Sequence, residues 1–162
     1  MMDTAAIAAH IPHRYPMLLL DRVTAVTPGS SLVAVKAITA TEPCYRREPG
    51  APPLTDFRYP APLLLESLAQ AAVILATWDE PNPDVCAGRL ELGASFRGVR
   101  FRQGVHPGDL VEHRIVLRKA LGDTSVVSGV ASVDGRPVLE VDQFVLAMRD
   151  VASFHTPDIL PA

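Results

Sequence analysis

Apolar and polar positions along the 162-residue chain switch between short β-like runs and one long helix-like run. Leu18 to Thr27 and Ser31 to Thr39 are rich in Val, Ile and Leu, and Pro28-Gly29-Ser30 between them reads as a tight turn, so the pair predicts a hairpin. Four more β-like runs follow at Arg89 to Phe101, Leu110 to Leu121, Ser125 to Val133 and Pro137 to Met148. Turn signals separate them, and Asp134-Gly135 suits a two-residue hairpin. Before this second group, Leu63 to Trp78 supplies about four turns of strong helix formers, with Pro60 and Pro62 suited to the first turn. Asp3 or Thr4 can cap a short helix through about Ala9, after which Pro12 and Pro16 force an extended turn around His13-Arg14-Tyr15. About six antiparallel strands and one long helix predict an α+β architecture, a curved sheet wrapped around a buried helix.

The long helix is apolar on nearly every face, which requires protein around it, and its one polar stripe is Glu66, Ser67 and Gln70. Glu66 and Gln70 are four apart and share a side. Just before the helix, residues 42–62 carry prolines at 43, 49, 52, 53, 60 and 62 with no sustained period, so a long stiff loop without regular structure is expected there. A single domain over residues 1–150 and a loose tail over 151–162 complete the expected organisation.

Apolar residues make up 48% of the chain and charged ones 20%, which is ample material for a core and excludes disorder for most of its length. A formal charge of -3 gives no broad basic field, so nucleic acid is not an expected partner. Cys44 and Cys86 are the only cysteines and show no metal-ligand spacing; a reducing cytoplasm fits them, with neither disulfide nor zinc expected. The first residues have no basic segment and do not read as a secretion signal, and the apolar stretch from Ala61 to Trp78 contains Glu66 and Gln70, so a core helix rather than a membrane span is expected.

Several segments resemble one family. Ile-Pro-His-Arg-Tyr-Pro from Ile11, the Thr-Glu-Pro at Thr41, Leu-Leu-Leu-Glu-Ser-Leu-Ala-Gln from Leu63, Val-Arg-Phe-Arg-Gln-Gly-Val-His-Pro-Gly-Asp from Val99 and Val-Asp-Gly at Val133 are similar to FabZ-type 3-hydroxyacyl-acyl-carrier-protein dehydratases, over about residues 7–148. The resemblance implies a hotdog fold and loss of water from a 3-hydroxyacyl thioester in fatty acid or polyketide biosynthesis. It implies no resident cofactor, since the substrate arrives on the phosphopantetheine arm of an acyl carrier protein. Such chemistry asks for a base at Cα and a proton donor for the leaving hydroxyl. In the family these are a His and a Glu from opposite subunits of a dimer, and the match places the Glu at Glu66. It also implies a substrate-binding position at Ala61, whose N–H would polarise the thioester carbonyl; Gln70, read from the helix stripe itself, is a further substrate-site candidate with a structural role, orienting Glu66.

The family's His is missing. Its ungapped position holds Pro52, and no His lies between Glu42 and Gly88, so the chain is expected to complete a site with a His-bearing homologue and to have little activity alone. The resemblance thus implies a homodimer or heterodimer with an acyl carrier protein as a further partner. A non-catalytic hotdog protein that binds a carrier protein or stabilises a partner, and a hotdog thioesterase, stand as alternatives. Among other residues, His13 is read as a turn or dimer contact, His106 as solvated, Cys44 as inert, and Arg97, Arg100 and Arg102 as a solvated face that could meet an acidic carrier protein.

Overall fold

The computed structural model describes residues 1–154. Helix α1 spans Thr4–His10, and Asp3 caps it by accepting a hydrogen bond from the Ala6 N–H at 2.9 Å. Strands β1 (Arg22–Thr27) and β2 (Ser31–Ala37) form the first hairpin. A 3-10 turn at Pro43–Tyr45 and helix α2, Ala61–Ala76, follow. Strands β3 (Arg89–Phe101), β4 (Leu110–Leu121), β5 (Thr124–Val133) and β6 (Arg136–Asp150) complete the described elements, ending in a 3-10 turn at Val151–Phe154.

All neighbouring strands are antiparallel and make one six-stranded sheet in the order β1-β2-β4-β5-β6-β3. The sheet covers α2, and this is the expected hotdog arrangement. Burial explains the registers. In β2 and β4 alternate residues such as Leu32, Ala34, Val111 and Ile115 turn inward and pack on Leu64, Leu68, Ala71, Ala72 and Ile74 of α2. A one-residue slip of either strand would expose that set. The helix approaches so closely that a Cβ on Gly129 of β5 would stand 3.1 Å from a Leu68 methyl. The Asp134-Gly135 turn forms as predicted, with positive φ at both positions (50° and 74°), the requirement of a type I′ hairpin.

Three expectations need adjustment. Strand β1 begins at Arg22 rather than Leu18, because the backbone of Met17 and Leu19 bonds the Gln70 amide instead of a strand. Inside the proline-rich segment, Pro43–Tyr45 is a helical turn and α2 begins at Ala61, so the irregular stretch is shorter than 42–62. The segment is anchored: Lys36 Nζ lies 2.9 Å from Glu42 Oε1, nearly buried, and the Tyr45 hydroxyl donates to the Phe57 carbonyl at 3.0 Å. The first residues of the tail expected from 151 are held to the domain, since Val151 is buried and its N–H donates to the Gly88 carbonyl at 2.9 Å. The remainder of that tail, residues 155–162, lies outside the described residues.

The two edges of the sheet differ. Met2 covers part of β1 through a bridge to Val23. On the other side β3 pairs only with β6 among the described residues, and it carries the exposed Leu92, Phe96 and Phe101 along its thirteen residues. Such a long, apolar free edge is a template for pairing with another chain.

Candidate active site

Glu66 lies in the second turn of α2, where helical spacing puts it on one stripe with Ala69, Gln70 and Val73. That stripe faces a cavity of about 440 Å³, whose other walls include His13, Leu90, Leu92, Phe96 and Phe144. Concave, largely apolar and supplied with a few convergent polar groups, it has the character of a small-molecule site.

Gln70 organises the polar end. Its Oε1 accepts from the Leu19 N–H at 3.0 Å, and its Nε2 donates to the Met17 carbonyl at 2.7 Å and to Glu66 Oε1 at 2.8 Å. Fully buried, with both amide hydrogens spent, it has no N–H left for a substrate; it positions Glu66 and ties the segment after Tyr15 to α2. That tether brings His13 to the helix. His13 Nε2 stands 3.2 Å from Glu66 Oε1, with the two side chains 29% and 32% exposed, so a ligand in the cavity can reach both. Burial alone would push the Glu66 carboxyl up, but the hydrogen bonds to His13 and Gln70 outweigh it and hold the group below the ordinary Glu range. Glu66 is therefore an ionised carboxylate at neutral pH. The reading of His13 as only a turn or dimer contact is thus incomplete: it also meets Glu66, across a sequence separation that no local pattern reveals.

Ala61, by contrast, opens α2 and is exposed, away from the cavity that Glu66 and Gln70 share. As a first-turn residue it has an N–H with no carbonyl partner inside its own helix. Ser67, the third member of the polar stripe, is structural: its hydroxyl bonds the Leu64 carbonyl at 2.9 Å and stands 3.0 Å from His113 Nε2, both groups fully buried. His106 is exposed, as expected, and burial with the nearby Glu42 charge raises the Cys44 thiol above its usual range, consistent with an inert cysteine. Arg100 is paired with Asp142, and Arg102 Nε donates to Glu140 at 2.6 Å, so these two are neutralised, while Arg97 is exposed and forms no ion pair among the described residues. Among the described residues no cluster of His, Cys, Asp and Glu could hold a metal ion, and no helix is long and apolar enough to cross a membrane.

The family model of the FabA-like domain matches residues 11–142. The chain belongs to this family. It is 41% identical over 152 residues to the 3-hydroxyacyl-(acyl-carrier-protein) dehydratase FabZ of an Anaeromyxobacter strain, covering 93% of this chain and 92% of that protein. It is 37% identical over 155 residues to the FabZ of Shewanella loihica, covering 93% and 95%. Among solved structures, the dehydratase heterocomplex ApeI:P from Xenorhabdus doucetiae superposes with a TM-score of 0.71 at 16% identity, over 89% of this chain and 91% of that one. The fluoroacetyl-CoA thioesterase FlK superposes with a TM-score of 0.60 at 15% identity, over 80% and 93%. At such identities the two structures establish the shared fold.

Proposed function

We propose that this chain is a dehydratase subunit that removes water from 3-hydroxyacyl thioesters presented by an acyl carrier protein, and that it completes its site with a His from a homologous partner subunit. The observation that carries this reading is Glu66, held ionised by His13 and Gln70 at the mouth of an apolar cavity within a FabZ-like helix. In the elimination, the partner's His takes the Cα proton, the C–H electrons become the new Cα–Cβ double bond, and hydroxide leaves from Cβ. Glu66, ionised in the free chain, takes up a proton with the substrate bound and delivers it to that hydroxide, steered by its contact with His13, giving water and a trans-2-enoyl thioester. The Ala61 N–H, exposed at the positive end of α2 and away from this cavity, takes no part at the Glu66 site. Relatives named FabZ and the fold shared with a dehydratase heterocomplex support the reaction and the heteromeric assembly. The free β3 edge supplies a surface for joining two sheets. No resident cofactor is needed, and the cytoplasm is the compartment of the proposed subunit.

A second reading, thioester hydrolysis, draws on the same contact: an ionised Glu66 beside His13 can take a proton from water without help from a partner. The purified chain separates the two. Incubated alone with 3-hydroxyacyl-pantetheine thioesters it should form little or no enoyl thioester and release no free thiol, and enoyl product should appear on adding a His-bearing homologue. Family-like dehydration by the chain alone would overturn the shared site; thiol release by the chain alone would replace it with hydrolysis.

A further inference from the structure

The cavity holds a third ionisable side chain to which neither the family resemblance nor the proposed elimination gives a part. Glu91, on β3, lines the same walls as Glu66 and His13. Around it those walls are apolar, formed by Val73, Val85, Leu90, Leu92, Phe96 and Phe144. Its Oε1 is buried, yet has no hydrogen-bond partner among the described residues. Buried polar atoms in native proteins are nearly always partnered, and one left open toward a cavity is the position where a ligand group can supply the missing bond.

Its place along the cavity says which part of a ligand it would meet. Glu91 also lines a small hollow with His13, Val73 and Thr77, the last just past the end of α2 and about three turns beyond Glu66. It borders a separate cavity of about 480 Å³ near Trp78 and Leu75 as well. Glu91 therefore borders both the cavity of Glu66 and His13 and the one beside Leu75 and Trp78, so an acyl chain running from Glu66 along α2 toward Leu75 meets it beyond the reacting carbons. Burial pushes its carboxyl up to about 7, against the lowering effect of Arg89 and Arg149 and with a further rise from Asp123. Near neutrality it can consequently donate a hydrogen bond as an acid or accept one as a carboxylate. A hydroxyl is the partner that satisfies both forms, whereas a terminal methyl group would leave the buried oxygen unpaired.

We propose that Glu91 is a specificity-determining residue, selecting 3-hydroxyacyl thioesters whose chain carries a second hydroxyl at its far end over chains that end in a methyl group. This inference rests on the reading of the cavity as an acyl-thioester site. It is tested by binding rather than turnover, with matched series of 3-hydroxyacyl-pantetheine thioesters of increasing length, ending in methyl or in hydroxyl, titrated calorimetrically into the full chain in its native assembly. At the length that reaches Glu91, the hydroxyl-ended ligand should bind about tenfold more tightly, the size of one net hydrogen bond. The preference should survive Glu91→Gln and vanish in Glu91→Leu, with melting temperatures recorded to confirm that both variants fold. Equal binding at every length, tighter binding of the methyl-ended series, or a preference that persists in Glu91→Leu would overturn it while leaving the acyl site standing. Failure of both series to bind would remove the acyl site itself, and this inference with it.

Discussion

His13 Nε2 and Glu66 Oε1 lie 3.2 Å apart, joining the turn after α1 to the second turn of the central helix. The contact explains how a carboxylate can stay ionised in a half-buried, apolar setting. Burial opposes the charge, and hydrogen bonds from two neighbours outweigh that opposition.

Removing one of those neighbours should therefore raise the Glu66 pKa. In His13→Ala the burial effect remains while one hydrogen bond is lost, so the acid limb that Glu66 contributes should move to higher pH. Carbon-13 NMR titration of Glu66 in wild type and variant measures the shift directly. An unchanged titration would mean that His13 does not act on Glu66.

The β3 edge yields a prediction about assembly. A thirteen-residue strand with a side that is unpaired among the described residues, and exposed Leu92, Phe96 and Phe101, should be covered in solution, so the chain should run as a homodimer or, with its homologue, as a heterodimer. Light scattering at micromolar concentration checks this. A stable monomer in the absence of any partner would contradict it.

His113 makes folding pH-dependent. Fully buried between Ser67 and the charge of Lys36, it has its pKa lowered to about 3, chiefly by burial, from an ordinary 6.5. The unfolded chain takes up this proton near 6.5, and the folded chain only near 3. Stability from neutral His113 is thus complete above the upper value and is lost progressively as the pH falls toward the lower one. Urea unfolding near neutrality and within that window should show the decline in wild type, and a smaller decline in His113→Gln. Equal declines would assign the acid sensitivity to other groups.

Most of the fold was legible because its signals are local. Asp3 caps α1, Asp134-Gly135 turns the last hairpin, and the apolar run of α2 could only be a covered helix. Leu18 to Leu20 misled because their apolar character suits a strand, while Gln70, distant in sequence, claims the backbone on either side of Leu18. Glu66 and Gln70 stood out as polar residues on a greasy helix, and the structure joins them. His13 and Glu91 did not, since one reaches the cavity only through tertiary packing and the other lies in a Leu-Glu-Leu alternation that gives no sign of a cavity beside it. Only the resemblance places Pro52 where a His is expected, and no neighbouring pattern in the structure speaks to it.

The shared site is tested most directly by placing Glu66→Gln in this chain only, within the complex it forms with a His-bearing homologue, and measuring dehydration beside the melting temperature. Gln keeps the shape and can still bond His13, but it cannot exchange a proton with the leaving hydroxyl. Dehydration at the site that pairs Glu66 with the partner's His should fall by at least about a hundredfold while assembly and melting temperature stay unchanged. Full turnover in that complex would show that the partner's own residues do the chemistry and that this chain serves as its scaffold.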